Sequence, residues 1–135
     1  MNKVSGIGGV FFKARDPKAL GAWYETHLGV KFEDWGGTQF KWRRHDAPER
    51  TGVTVWGLFK QDSTYFEPGG KPFMVNYIVE DLAAVRAQLR AEGVTVDDKV
   101  EESEYGKFGW AMDPEGNRFE LWEPPKEAEQ GAESS

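Results

Sequence analysis

The first half of the chain carries an apolar run that is followed by a helical pattern. The run covers residues 10–16 and ends in Asp16, with Pro17 directly after it. Because Asp favours the N-cap, Pro the first helical position and Gly the position after a helix, we predict a strand, then a helix that stops at Gly29. The apolar face expected for this helix is spaced by three and four residues and consists of Leu20, Trp23, Tyr24, His27 and Leu28.

The second half of the chain repeats this pattern. Residues 73–81 form another apolar run that ends in Asp81, a helical face of apolar residues follows, and Gly93 closes it. The two capping aspartates lie 65 residues apart, and the two glycine stops lie 64 apart. The agreement of strand, cap, helix and stop indicates an internal repeat.

Three short extended runs separated by turn residues follow each helix. They cover residues 30–34, 38–43 and 53–59 in the first half, and 95–100, 105–112 and 118–123 in the second. We therefore predict an α+β fold of two tandem βαβββ modules that join edge to edge, with both helices on one side and a cup on the other. The predicted organisation is a single domain over 1–124, with module one at about 4–60, a linker at 61–71, module two at about 72–124 and a disordered acidic tail at 125–135.

Composition narrows the classes of function. The chain has no cysteine, which excludes disulfides, thiolate metal sites and cysteine nucleophiles. Its net charge of −6 argues against nucleic-acid binding, and its longest N-terminal apolar stretch, residues 6–12, is too short to span a membrane. A cytoplasmic protein without a membrane partner is expected. Aromatic residues make up 14% of the chain, which suggests an aromatic surface beyond the needs of packing.

The duplicated strand-Asp-helix-Gly pattern and the closing segment Asp-Pro-Glu-Gly-Asn-Arg-Phe-Glu-Leu at residues 113–121 resemble the vicinal oxygen chelate superfamily. Its members include glyoxalase I, bleomycin-resistance proteins, extradiol dioxygenases and fosfomycin-resistance enzymes. The resemblance covers roughly residues 4 to 124. It implies a curved eight-stranded mixed sheet with the helices on its convex side, a ligand in the cup and commonly a homodimer, but it does not fix the reaction.

Metal-using members of this superfamily take two ligands from the strands before the helices and two carboxylates from the fourth strand of each module. By resemblance these positions fall on Gly9, Met74, Glu120 and either Gly57 or, if the register slips by one, Trp56. Glycine offers no side-chain ligand, and a thioether suits copper(I) rather than a harder divalent cation. We therefore expect no metal site and no cofactor.

The two histidines do not restore such a site. His27 lies on the predicted helical face near the end of the helix, where an imidazole complements the helix dipole, and His45 lies in a polar turn. A structural role is the simpler interpretation of both.

Alternation along the predicted strands identifies the residues that line the cup. Glu120 is the candidate catalytic residue, because a carboxylate in a dry cup has a raised pKa and can act as an acid or base. The alternative is that Glu120 is a relic held by neighbouring polar groups. The candidate ligand-binding residues are Phe11, Lys13, Met74, Asn76, Trp110 and Trp122, with Trp42, Trp56 and Tyr105 as less certain members of the lining.

Two functional hypotheses follow. The first is a protein of the glyoxalase/bleomycin-resistance type that binds a small, partly aromatic molecule in an apolar cup without the usual divalent metal. The second is an enzyme of the same superfamily, a lyase, isomerase or dioxygenase, that acts on a small oxygenated substrate through Glu120.

Overall fold

The computed structural model describes residues 4–125 and forms one mixed sheet with two helices. The predicted tail lies outside the described residues, except for Pro125. No helix in the described part of the chain is long and apolar enough to cross a membrane. The elements in chain order are β1 (Val4–Ala14), α1 (Pro17–Leu28), β2 (Gly37–Arg43), β3 (Thr51–Lys60), β4 (Phe73–Val79), α2 (Leu82–Ala91), β5 (Val96–Ser103), β6 (Gly106–Met112) and β7 (Arg118–Glu123).

Both helices begin at the predicted aspartates. The Asp16 carboxylate accepts a hydrogen bond from the Ala19 amide at 3.1 Å, and Asp81 accepts one from Ala84 at 3.0 Å. Gly29 ends α1 in the left-handed conformation, with φ at 70°, which an L side chain rarely adopts. The repeated cap signals therefore fix where both helices start.

The sheet is built around the antiparallel pair β1 and β4. The strand order is β2-β3-β1-β4-β7-β6-β5, with β1 parallel to β3 and β4 parallel to β7. This arrangement places the two strands that precede the helices side by side at the centre. The α+β class and the mixed sheet agree with the prediction.

The sheet has seven strands within the described residues, so the expectation of eight is corrected. The strand predicted over residues 30–34 is absent. Phe32 instead turns toward α1, where its ring packs against Tyr24 and Trp56. A tight turn follows at once, because the Gly36 amide donates to the Glu33 carbonyl at 2.9 Å. The chain between the end of α1 at Leu28 and the start of β2 at Gly37 is too short to turn away from the helix and also form a strand that pairs with β2.

The two helices cover the same face of the sheet. A buried cluster lies between α2 and the sheet and consists of Val79, Leu82, Val85 and Leu121. Behind α1, the Trp56 ring contacts Tyr24, and Phe12 of β1 packs against the same indole.

The contact face of α1 differs from the predicted one. Gly21 is buried against Phe32, so the helix rests on the side that carries Gly21 and Tyr24. Trp23 and Leu28 are 51% and 66% exposed, and His27 is also exposed. Spacing alone could not separate these neighbouring stripes, because the small residue that allows close approach carries no hydrophobic signal.

Candidate functional site

The candidate site lies on the sheet face turned away from the helices, here called the helix-free face. Strand register brings its central residues together: Phe11 of β1 pairs with Met74 of β4, and Asn76 of β4 pairs with Glu120 of β7. Glu120 also pairs with Trp110 of β6. Five residues singled out from the sequence are thus adjacent across four strands.

The Glu120 carboxylate is the polar centre of this face. Its Oε1 accepts a hydrogen bond from Asn76 Nδ2 at 2.6 Å, and its Oε2 accepts one from Trp110 Nε1 at 2.9 Å. The Tyr65 hydroxyl also donates to Oε2. The Glu120 side chain is 2% exposed, so these three donors replace water as its solvation.

Burial dominates the ionisation of this centre. Loss of water raises the pKa of Glu120 above its usual range, although the hydrogen bonds from Tyr65, Asn76 and Trp110 oppose the shift. Burial, followed by the nearby charge of Glu120, also raises the pKa of the Tyr65 hydroxyl. Both shifts favour the protonated forms, so Tyr65 remains a hydrogen-bond donor over the physiological pH range.

The linker between β3 and β4 closes over the site. The Tyr65 ring stacks on Phe59, with centroids 5.5 Å apart and an interplanar angle of 19°, and meets Trp110 edge-on at 6.2 Å. Phe66 is 1% exposed and belongs to a buried cluster with Met74 and Trp110. The sequence prediction missed both linker residues. The available signal was a pair of adjacent aromatic residues within an otherwise polar segment.

The remaining predicted ligand-binding residues lie at opposite ends of the face. Lys13 places its Nζ 5.5 Å from the centre of the Phe66 ring, a cation–π geometry. Trp122 stacks on Phe108 at 6.1 Å, and its Nε1 donates to the Tyr105 carbonyl at 2.8 Å. The hydrogen bonds to Glu120 come instead from Tyr65, Asn76 and Trp110.

The three less certain aromatic residues lie away from the polar centre. Trp56 packs under α1 on the helix face. Trp42 donates from Nε1 to Thr54 Oγ1 at 2.8 Å, and its ring lies close over Gly6 and Gly52. Tyr105 is 67% exposed. Trp110, unlike these three residues, donates a hydrogen bond to the Glu120 carboxylate.

The position of the Asn76 side chain depends on the neighbouring Gly8. Its Oδ1 atom is buried and has no hydrogen-bond partner among residues 4–125. A Cβ added to Gly8 would lie 2.4 Å from this oxygen, 2.7 Å from the Trp122 ring and 2.9 Å from the Ile78 side chain. The absence of a side chain at Gly8 therefore lets Asn76 reach Glu120.

We expect Gly8→Ala to lower the free energy of unfolding by about 1–3 kcal/mol, because the added methyl overpacks this contact. Gly21→Ala is the matched control, since its Cβ would meet Phe32 at an ordinary 3.5 Å within a helix. That variant should be neutral or more stable by up to about 1 kcal/mol. Urea unfolding measures both, and equal effects would contradict the packing argument.

An open groove of about 630 Å³ adjoins the closed site. Phe11, Gly57 and Phe59 form its floor, the Trp35 ring lies over Gly37 at its edge, and linker residues 62–64 border the far side. Gly37 and Gly57 are direct cross-strand partners. The Trp35 ring fills the space over Gly37, and a Cβ on Gly57 would lie 3.2 Å from the Phe11 ring, so the groove lies beside these aromatic rings.

The described side chains do not fit the metal site of the superfamily. Phe11 and Asn76 hold equivalent positions, each five residues before a capping aspartate. Phe11 pairs with Gly57, and Asn76 pairs with Glu120. Gly57, rather than Trp56, is therefore the position in the first half that corresponds to Glu120. The three neighbours of Glu120 donate hydrogen bonds to it, whereas a cation needs ligand atoms that offer lone pairs. Within residues 4–125, no group of three or more His, Cys, Asp or Glu side chains could hold a metal ion.

Comparison with known proteins identifies the family. Residues 9–122 match the family described as "Glyoxalase-like domain". No curated protein sequence matches the chain significantly. Among solved structures, methylmalonyl-CoA epimerase in complex with methylmalonyl-CoA and NH4+ has a TM-score of 0.66 at 18% identity, covering 92% of this chain and 97% of that one.

Two further structures show the same fold. Methylmalonyl-CoA epimerase from Mycobacterium tuberculosis has a TM-score of 0.59 at 19% identity, covering 93% of this chain and 91% of that one. The Mn(II)-bound glyoxalase from Novosphingobium aromaticivorans has a TM-score of 0.60 at 21% identity, covering 91% of this chain and 40% of that one. The chain therefore belongs to the glyoxalase-like domain family of the vicinal oxygen chelate superfamily.

Proposed function

We propose that the protein binds a small, partly aromatic molecule on the helix-free face and does so without a divalent metal. The observation that carries this proposal is the state of Glu120, whose two oxygens accept hydrogen bonds from three side-chain donors. A carboxylate so satisfied gains little from a cation. Around Glu120, the helix-free face carries mainly aromatic and apolar side chains and glycines. Small-molecule sites commonly have such a lining.

The groove supports this proposal by its lining. Phe11 and Phe59 meet edge-to-face at 5.6 Å, and the Trp35 ring is 57% exposed beside them. A flat ligand would lie in the groove beside these rings, where Gly57 in the groove floor carries no side chain. Matching Gly57 with Glu120 also supports the view that the two halves are related modules, of which one supplies space and the other a polar group.

The test pairs metal analysis with ligand binding. We expect the purified protein to carry no stoichiometric zinc, nickel, iron or manganese, and indole to raise its melting temperature. Trp35→Ala should abolish the shift with indole because it removes the groove wall. Trp23→Ala is the matched control, since Trp23 is similarly exposed at 51% but lies on α1. A stoichiometric metal that is lost in Glu120→Ala would overturn the proposal.

A second candidate is an enzyme that uses Glu120 as acid or base, and the raised pKa of Glu120 favours it. Two similar structures are epimerases, one of them bound to methylmalonyl-CoA. Deuterium exchange into methylmalonyl-CoA in D₂O tests this candidate. We expect no exchange above the uncatalysed rate, because Glu120 is 2% exposed behind Tyr65. Exchange that disappears in Glu120→Gln would favour the enzyme instead.

Assembly is a separate question. The superfamily resemblance implies a homodimer, and this stays a prediction that light scattering of the purified protein would test.

A further inference from the structure

We propose that the closed pocket over Glu120 is a binding site for small phenols, and that Tyr65 is a built-in occupant which such a ligand displaces. The inference rests on the proposed function and deepens it by naming a ligand class. Tyr65 is itself a para-substituted phenol. Its contacts therefore show which chemical groups the pocket accepts and where each of them goes.

The ring of Tyr65 is held by two aromatic surfaces. Phe59 offers a stacking face with centroids 5.5 Å apart, and Trp110 is met edge-on, with an interplanar angle of 88°. Both distances lie within the range of favourable aromatic pairs. A free benzene ring of the same size would find these two surfaces in place, because Phe59 belongs to β3 and Trp110 to β6.

The hydroxyl of Tyr65 donates a hydrogen bond to an acceptor, and an apolar ligand has no donor to replace this bond. It donates to Glu120 Oε2, which also accepts from Trp110 Nε1. When Tyr65 leaves, this buried oxygen loses one donor, and a ligand hydroxyl can restore the bond. A ligand without a donor leaves the acceptor under-satisfied, which costs affinity. The pocket should therefore discriminate between phenol and its methyl ether.

Tyr65 can leave without unfolding its surroundings because it lies on the linker rather than on a strand. Its backbone amide donates only locally, to Ser63 Oγ at 3.2 Å. The open groove begins next to it, at Phe59, Ser63 and Thr64, and its volume of about 630 Å³ can take the displaced ring. Phe66, which is 1% exposed, keeps the linker anchored while the neighbouring side chain rotates.

The experiment uses Tyr65→Ala, which empties the pocket, with phenol and anisole as probes in titration calorimetry. Phenol should bind this variant at least about tenfold more tightly than the wild type, because no occupant has to be displaced. Phenol should also bind it at least about tenfold more tightly than anisole, since a buried acceptor left without its donor costs about this factor or more. Adding Glu120→Gln to Tyr65→Ala should shrink the phenol preference several-fold.

Two further variants keep the test decisive if Tyr65→Ala folds poorly. Tyr65→Phe retains the ring but loses the bond to Glu120, so phenol should bind it more tightly than the wild type. Tyr105→Phe is the matched control, because Tyr105 is 67% exposed, and its phenol affinity should stay at the wild-type value.

Equal binding of phenol and anisole to Tyr65→Ala would overturn the proposal. So would a phenol affinity that is the same in the wild type, Tyr65→Phe and Tyr65→Ala. These failures are distinct from failure of the proposed function, because indole binding that depends on Trp35 in the wild type can persist when the phenol preference is absent. Loss of indole binding, by contrast, bears on the groove and leaves the comparison of phenol with anisole in the emptied pocket intact.

Discussion

Replacing Trp110 by alanine is expected to lower the free energy of unfolding by about 3–5 kcal/mol. Trp110 is 1% exposed and lies at the centre of the buried cluster on the helix-free face, in contact with Tyr65, Phe66 and Met74. Its removal leaves a cavity beneath the linker. It also removes one of the three donors that solvate Glu120.

Urea unfolding followed by circular dichroism measures this loss. Trp23→Ala and Trp35→Ala are the matched controls, since both delete the same side chain at sites that are 51% and 57% exposed. Each should change the free energy of unfolding by less than about 1 kcal/mol. A Trp110 variant as stable as these controls would show that the helix-free face is not packed as described.

Glu120→Leu is expected to cost about 2–4 kcal/mol near pH 4, because it leaves the buried donors of Trp110 and Asn76 without their acceptor. Glu120→Gln keeps an oxygen for Tyr65 and Trp110, and the Asn76 amide can flip so that its unpaired Oδ1 accepts from the new amide. We therefore expect the Gln variant to be far more stable than the Leu variant.

Comparison of the wild type with Glu120→Gln across pH tests the ionisation of the site. Burial raises the pKa of Glu120 in the folded state, so the folded protein binds the proton more tightly than the unfolded chain does. Stability from this group is therefore present below the unfolded pKa of about 4.3 and is lost as pH rises from there through the folded pKa. The Gln variant lacks this titration, so the wild type should lose stability relative to it as pH rises from about 4 to 8.

A tenfold difference in proton affinity between the folded and unfolded states corresponds to about 1.4 kcal/mol in this comparison. Other carboxylates, such as Asp46 with its pKa lowered by the hydrogen bond from Arg44, titrate alike in both proteins and cancel. A wild type that gains stability over the Gln variant with rising pH would mean that the site stabilises the anion, contrary to the burial argument.

The sequence was sufficient to predict the fold class because its strongest signals are local. Asp16, Asp81 and Gly29 mark helix ends through backbone hydrogen bonds and a positive φ that neighbouring residues hardly alter. Strand alternation likewise placed Met74, Asn76 and Glu120 on one face. The α+β class and the superfamily resemblance are confirmed by the mixed sheet with two helices and by the family match.

The parts that could not be predicted depend on contacts between distant segments. The apolar content of residues 30–34 suits a strand, but Phe32 packs against α1, and nothing within those residues shows that competition. Similarly, Tyr65 reaches a carboxylate 55 residues away through the closing of the linker. Pattern analysis assigns a polar linker to solvent, and only the three-dimensional path of the chain brings it over the sheet.

The two halves of the helix-free face differ in polarity, and this difference would determine how a ligand is oriented. The half with Glu120 offers a hydrogen-bond acceptor, and the half with Gly57 offers room and aromatic walls. We expect a molecule that displaces Tyr65 and extends across both halves to place its polar end at β7 and its apolar end at β3. Such a molecule should bind in one direction only, although the strand order beneath it is almost symmetric about the β1–β4 pair.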